Sequence, residues 1–429
     1  MKTDQYPLHG AAGNAAASDA AGKGRLQFLS RYFYLPGNAW ILTWTSTVWS
    51  IGGALASPYQ SLYYYFLGAS PVLIGYLAAT ASLIAAVAQL IGGYVGDSWG
   101  RKRAIIIFSF LGVANNFVFF IVPSASLLVI PVIIGSVAGI YGPLFSTSLT
   151  ESMDPSLRPR GIASYSFVNT IPSLFSPYIG GLLISHLGDI EGIRVAFFIS
   201  GLFGILGISY RALTLSESFR PKTTVKFYAF WRKLISESVS AYRLAGRDVR
   251  LLLYYASLAA FGVGLASTFS VLYFIQSLHF PPYIYGALVG VASLVSMLLL
   301  FPAARMAERF GLKRAVLYAS LSVPFNQLFF TYAKDISELI TWSVVGGTGS
   351  ALMGPPLTSL QSDLVPRHMR ARIMALFSAI PLLVSIPAQI LGGYLYEITP
   401  VTPFLVSIPV FLLSVYVVMR IREPSKLET

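Results

Sequence analysis

Residues 93–103 read Gly-Tyr-Val-Gly-Asp-Ser-Trp-Gly-Arg-Lys-Arg and interrupt hydrophobic sequence on both sides. A glycine-rich helix end, one acid at Asp97, and a turn at Gly100 followed by Arg101, Lys102 and Arg103 predict a short polar loop between two membrane helices. Residues 304–314, Ala-Arg-Met-Ala-Glu-Arg-Phe-Gly-Leu-Lys-Arg, repeat the pattern 211 positions later. Glu308, Gly311, Lys313 and Arg314 stand where Asp97, Gly100, Lys102 and Arg103 stand, and Leu312 replaces Arg101. Outward from these loops the likeness continues. Residues 67–104 align without gaps on residues 278–315, with 11 of 38 positions identical. At an offset of 212, Gly142-Pro143 maps on Gly354-Pro355, Glu151 on Asp363, Arg158 on Arg370, Arg160 on Arg372, and Gly180-Gly181 on Gly392-Gly393. A collinear series of this length is an internal duplication.

The 429 residues are 55% hydrophobic and only 11% charged, too apolar for a soluble chain of this size. Apolar runs long enough to cross a hydrocarbon core of about 30 Å recur along most of the chain, and in lipid such runs fold as helices. We expect an all-α polytopic membrane protein with twelve spans at 38–66, 71–95, 103–122, 126–150, 161–187, 193–215, 250–278, 282–306, 314–333, 337–358, 370–396 and 400–421. With this division, 28 of the 30 Lys and Arg fall on one side and only Arg194 and Lys334 on the other, which predicts both termini in the cytoplasm. The net charge of +13 therefore reports topology and does not point to nucleic acid. There is no cysteine, and His9, His186, His279 and His368 lack ligand spacing, so neither a metal nor a cofactor is expected. Residues 1–24 carry no apolar core of the kind a secretory signal needs, and read as a disordered tail.

Gly93, Asp97, Gly100, Arg101 and Lys102 match the G-x-x-x-D-x-x-G-R-K loop signature, with Ser98 where a cation is usual, so the chain resembles the major facilitator superfamily. The resemblance covers residues 38–421. It implies two pseudo-symmetric six-helix bundles related by an axis along the membrane normal, at 38–215 and 250–421. A cytoplasmic N-terminal tail (1–37), a linker (216–249) and a C-terminal tail (422–429) complete the division. Phe227, Phe230, Trp231 and Leu234 beside Lys226, Arg232 and Lys233 predict an interfacial helix in the linker. The resemblance further implies a cytoplasmic gate in which Asp97 faces a helix N-terminus of the other half and Arg101 reaches Glu151. Lys102, Arg158 and Arg160 would support it, and the copy would contribute Glu308, Lys313, Arg314, Asp363, Arg370 and Arg372.

In the fifth span, Ser176, Pro177, Gly180 and Gly181 resemble the G-P-x-x-G-G element of the superfamily's proton-coupled drug exporters, with Ser176 for the first glycine. The alternative is small-residue packing, since Gln389 stands at the proline position of the second Gly-Gly pair. The fourth span lacks the arginine expected of such exporters, and no Asp, Glu, Lys or Arg falls clearly inside a span. Proton coupling would then depend on His186, Asp189, Glu191, His279 or Glu397 near span ends. The neutral residues Trp44, Trp49, Gln89, Tyr141, Asn169, Tyr273, Gln276, Thr348 and Gln389 are the expected substrate path. Asn115, Asn116, Asn326 and Gln327 are expected to bond between helices, and Tyr63 to Phe66 to form an interfacial aromatic belt. No nucleophile–base grouping or nucleotide loop suggests chemistry on a substrate. The expected function is a monomeric secondary transporter that exports lipophilic or amphipathic molecules, with uptake of a neutral hydrophilic metabolite such as a sugar as the alternative. A non-transporting membrane sensor or scaffold is a third reading.

Overall fold

The computed structural model describes residues 34–217, 242–365 and 369–422, together with Ser236 and Ser240. The expected linker helix around Phe227 to Leu234 and both tails beyond these limits lie outside the described residues. Twelve helical tracts follow one another among them. In the first half, α1 is Gly37–Ala56, carried through a 3₁₀ turn (Ser57–Tyr59) into Gln60–Phe66. Then come α2 (Pro71–Trp99), α3 (Arg101–Ile121), α4 (Ala125–Glu151), α5 (Arg158–Thr170 and Pro172–Leu187) and α6 (Asp189–Thr214). In the second half, α7 (Arg247–Ser277) again contains a 3₁₀ turn, at Ser267–Phe269. It is followed by α8 (Pro282–Phe310), α9 (Leu312–Tyr332), α10 (Ile336–Leu364), α11 (Arg370–Ile398) and α12 (Thr402–Arg420). Nine of these tracts are long and apolar enough to cross a bilayer on composition alone; α1, α9 and α10 are not among them. Outward-facing Phe110, Leu206 and Leu298 are more than half exposed, as suits helices solvated by lipid.

The helix boundaries follow from local chemistry. Ser70 caps α2 by accepting from the Leu73 N–H at 3.2 Å, and Pro71 fills the first helical position, where no N–H is needed. Between α2 and α3, and again between α8 and α9, one residue makes the turn. Gly100 (φ 85°) and Gly311 (φ 97°) hold left-handed backbone there that a side chain would strain.

The duplication is visible in packing. Near the end of α1, Tyr63 donates to the Phe119 carbonyl at 2.8 Å and packs on Phe197. In the second half Tyr273 donates to the Thr331 carbonyl at 2.9 Å and packs on Phe330 and Phe404. Tyr63 and Tyr64 are thus core residues, 0% and 6% exposed, and the expected belt is not formed by them. Their rings fill space between helices, where buried area outweighs what an interface position offers. We call the face where α1 begins and α12 ends the terminal face, and the other the opposite face.

Candidate functional site

A cavity of about 750 Å³ lies where the halves meet, lined chiefly by α1, α2, α3 and α4 with shorter stretches of α6, α7, α8 and α11. Trp49, Tyr64, Phe119 and Tyr285 give it aromatic walls, and Asn115 and Gln389 place amides in it. None of its lining residues is Asp, Glu, Lys, Arg or His. Gln389 donates to Ser82 Oγ at 2.9 Å across the two halves. Asn115 Oδ1, Gln389 Oε1 and Ser200 Oγ are buried without a hydrogen-bond partner among the described residues. Buried polar atoms without a partner cost about 1–3 kcal/mol each.

The expected path residues divide. Trp49 and Gln389 line the cavity. Tyr141 stands directly behind Trp49, with ring centroids 5.7 Å apart, and Asn169 accepts from Ser50 Oγ at 3.1 Å on the neighbouring face of α1. The others lie elsewhere. Trp44 is half exposed and stacks on Trp40; at about 100° per residue it sits about 140° around α1 from Trp49. Gln89 is exposed on α2, and Gln276 belongs to the last turn of α7, outside the cavity lining. Tyr273 is consumed by the core contacts given above. Thr348 returns its hydroxyl to the Val344 carbonyl of its own helix. Conversely, Asn115 and Asn116 do not bridge helices as expected but line the cavity, whereas Asn326 and Gln327 do bridge, to the Trp342 carbonyl (2.6 Å) and Ser407 Oγ (3.3 Å).

One expectation is overturned outright. Arg211 is a charged residue inside a span, 1% exposed on α6. Side chains lean toward a helix's N-terminus, so a residue one turn from the end of α6 delivers its guanidinium deeper into the bundle. There it meets Thr45, Ser109 and Tyr141. A sequence signal existed: in the duplicated half the corresponding residue is Val418.

At the terminal face, Arg101 forms an ion pair with Glu151 and is itself largely buried. Arg158 Nε donates to the Thr150 carbonyl (3.0 Å), and Arg370 repeats the bond to the Ser362 carbonyl (2.8 Å). Asp154, in the α4–α5 loop, accepts from the hydroxyl and N–H of Ser156, which hold its carboxyl below the usual carboxylate range, Arg158 adding to the effect. Lys102 offers its backbone N–H to Glu217, and Lys313 Nζ reaches the Met419 carbonyl. Asp97, Glu308, Arg314 and Asp363 are exposed and make no hydrogen bond or ion pair among the described residues. Gly93 is exposed with open space around it; Arg160 is half-buried and Arg372 exposed.

Toward the opposite face the halves meet backbone to backbone. A Cβ on Gly180 would strike the Leu55 carbonyl of α1, and one on Gly181 would strike Pro282 and Tyr283 of α8. The second pair repeats this: Gly392 meets Leu265 of α7, and Gly393 meets Pro71 and Val72 of α2. Each pair therefore docks one glycine within its own half and the other against the partner half. Gly75 and Gly286 complete the contact against Gln389 and Pro177 carbonyls. Tyr59 ties the halves together by reaching the carbonyls of Pro177 (2.7 Å) and Pro282 (3.0 Å). Pro177 and buried Ser176 belong to this seal.

Two duplicated six-helix bundles with a cavity where they meet are the architecture of a polytopic membrane transporter for small molecules. The family model described as Major Facilitator Superfamily matches residues 42–323 and 274–429, and the chain belongs to that family. It is 21% identical over 349 residues to an uncharacterised MFS-type transporter of Methanocaldococcus jannaschii, covering 79% of this chain and 85% of that one. It is 25% identical over 148 residues to the quinolone resistance protein NorA of Staphylococcus aureus, covering 34% and 37% of the two chains. Among solved structures it resembles the nucleoside transporter NupG, with a TM-score of 0.71, 14% identity and coverage of 89% and 100%, a likeness of fold.

Proposed function

We propose that this transporter carries small organic molecules through the cavity by rocking one half against the other. The terminal face is cytoplasmic, the membrane is that of the cell, and the direction is export of lipophilic or amphipathic compounds. The observation that carries the reading is the cavity: aromatic walls with neutral amides, and no fixed charge among the described lining residues. The partial likeness to NorA supports export. Uptake of a neutral hydrophilic molecule is the second reading, favoured by the amide side chains of Gln60, Asn115, Asn116 and Gln389 in the lining. The protein acts as a monomer and without chemistry on its cargo.

In this reading Asp97, Arg101, Glu151, Glu308 and Asp363 form a latch at the terminal face, in which Arg101 is paired with Glu151 while Asp97, Glu308 and Asp363 are exposed. Asp97→Asn then favours states open to that face and slows turnover while substrate affinity holds. Reporter-cysteine labelling on this cysteine-free chain checks it, and unchanged labelling with unchanged flux defeats it.

The cargo is tested by thermal shift of the purified protein against two panels, lipophilic drugs and hydrophilic metabolites, followed by flux in liposomes. A ligand at a hundred times its Kd stabilises by about 2.7 kcal/mol. Hits confined to sugars or nucleosides replace export with the second reading. Proton antiport is the finer form of the proposal: an outward flux that does not respond to an imposed pH gradient removes it.

A further inference from the structure

The cavity lining is uncharged, yet a full positive charge stands in the wall behind it. Arg211 Nε and Nη2 both donate to Thr45 Oγ1 (3.0 and 2.7 Å), and Nη1 donates to Ser109 Oγ and Tyr141 OH (3.1 Å each). The guanidinium also lies over the Tyr141 ring, 5.3 Å from its centroid, and near the Phe145 ring at 5.8 Å. Every one of these partners is neutral, and arginine does not deprotonate in proteins. Nearer the two faces, Arg101 is compensated by Glu151 and Arg194 by Glu191. Arg211 makes no ion pair among the described residues.

The duplicated half shows that the architecture does not require this cation. Phe197 and Ser200 correspond to Phe404 and Ser407, and the same offset puts Val418 at the place of Arg211. Thr45, Ser109 and Tyr141 correspond to Tyr255, Ser320 and Met353. Those three close on one another, Ser320 Oγ donating to Tyr255 OH (3.0 Å) and Tyr255 OH to Met353 Sδ (3.1 Å), around a fully buried Val418. A neutral cluster fills the same place in one half, while the half that supplies most of the cavity carries a buried cation at considerable desolvation cost.

The charge is close enough to be felt by a guest. The 5.3 Å from Cζ to the Tyr141 centroid and the 5.7 Å from there to the Trp49 centroid, laid end to end, put it no farther than about 11 Å from a ring that lines the cavity. At an effective dielectric of about 20, a unit charge at that distance alters the affinity of a singly charged ligand on the order of tenfold. We propose that Arg211 sets the charge preference of the cavity, disfavouring organic cations and favouring anionic guests of the same shape. The proposal rests on the cavity being the substrate site.

The test uses two probes of one shape and opposite charge, tetraphenylphosphonium and tetraphenylborate, titrated onto the full-length protein in neutral detergent. Quenching of tryptophan fluorescence is read against a Trp49→Phe control. The quantity is the ratio of the two Kd values. Arg211→Gln should shift the ratio toward the cation by ten- to about a hundredfold. Arg211→Lys, which keeps the charge, should leave it near the wild-type value. Ser109→Asp leaves Arg211 in place and neutralises it, and should shift the ratio as the Gln variant does; it carries the test if Arg211→Gln does not fold. A ratio within twofold of wild type in the charge-removing variants overturns the proposal, as does a Lys variant that shifts as far as the Gln variant. Absence of saturable, Trp49-dependent binding of either probe overturns the substrate-site reading first and this one with it.

Discussion

The two halves of the molecule share a fold but differ in where they spend their polar side chains. Asn115 and Asn326 occupy equivalent places, each beside a glycine of the next helix, Gly135 and Gly346. Asn326 closes onto the Trp342 carbonyl, while Asn115 keeps its carbonyl oxygen unbonded in the cavity wall. Ser407 accepts from Gln327, while Ser200 lines the cavity unbonded. Val418 fills the core where Arg211 holds a charge. Duplication supplied one scaffold twice, and at these three places the second half fills or bonds internally what the first half leaves unbonded or charged. The glycine contacts between the halves are repeated, and the site is not.

The largest break in this comparison comes from forcing the second half to resemble the first. Val418→Arg buries a cation among Tyr255, Ser320 and Met353, whose polar atoms are already committed to each other. An uncompensated buried charge costs at least several kcal/mol. We expect loss of monodisperse protein on size exclusion, and a variant with wild-type Tm would show that the two clusters are interchangeable.

Next in size is the seal. Gly181→Leu or Gly393→Leu wedges a side chain between backbones of opposite halves, and overpacking of this kind costs about 1–3 kcal/mol. That corresponds to a 5–150-fold shift between closed and open states of the opposite face. A reporter placed by Ala78→Cys in the cavity lining should label faster from that face in both variants. Equal shifts confirm that the seal is symmetric, and an effect in one variant alone would break that claim.

Smaller effects separate α1 residues that sequence alone cannot rank. Trp49→Ala should weaken probe binding tenfold or more, as loss of a buried aromatic anchor does, while Trp44→Ala stays within twofold. The finest distinction is between the paired asparagines. Asn326→Ala removes an interhelical hydrogen bond and should lower stability by about 1 kcal/mol with flux per folded molecule unchanged. Asn115→Ala should leave Tm unchanged and alter probe affinity severalfold.

The twelve helices and their duplication were legible because apolar runs, glycine turns at Gly100 and Gly311, and paired Gly-Gly motifs are local features that survive without coordinates. The site was legible only in part. Trp44 and Trp49 are both tryptophans in one span, and which of them faces inward depends on helix rotation that composition does not encode. Asn115 and Asn326 look alike in sequence, and only the arrangement of α4 against α3 leaves one of them open. Arg211 stands three residues before the end of α6 and reads as an interfacial cation, because its burial is decided by a side chain reaching back up the helix toward Tyr141. The tyrosines Tyr63 and Tyr64 misled for the converse reason: a span-end position suggested an interface, and α3 and α6 close over them.

The glycine seal carries a thermodynamic consequence. Its contacts are backbone against backbone, held by dispersion and the Tyr59 hydrogen bonds, so dissolved ions have little to screen there. The terminal face, by contrast, displays Asp97, Glu308, Arg314 and Asp363 to water. Charges in that setting are attenuated over a Debye length of about 8 Å at physiological ionic strength and about 3 Å at 1 M. Added electrolyte is therefore a one-sided lever on this molecule, loosening whatever attraction closes the terminal face while leaving the opposite face as tight as before.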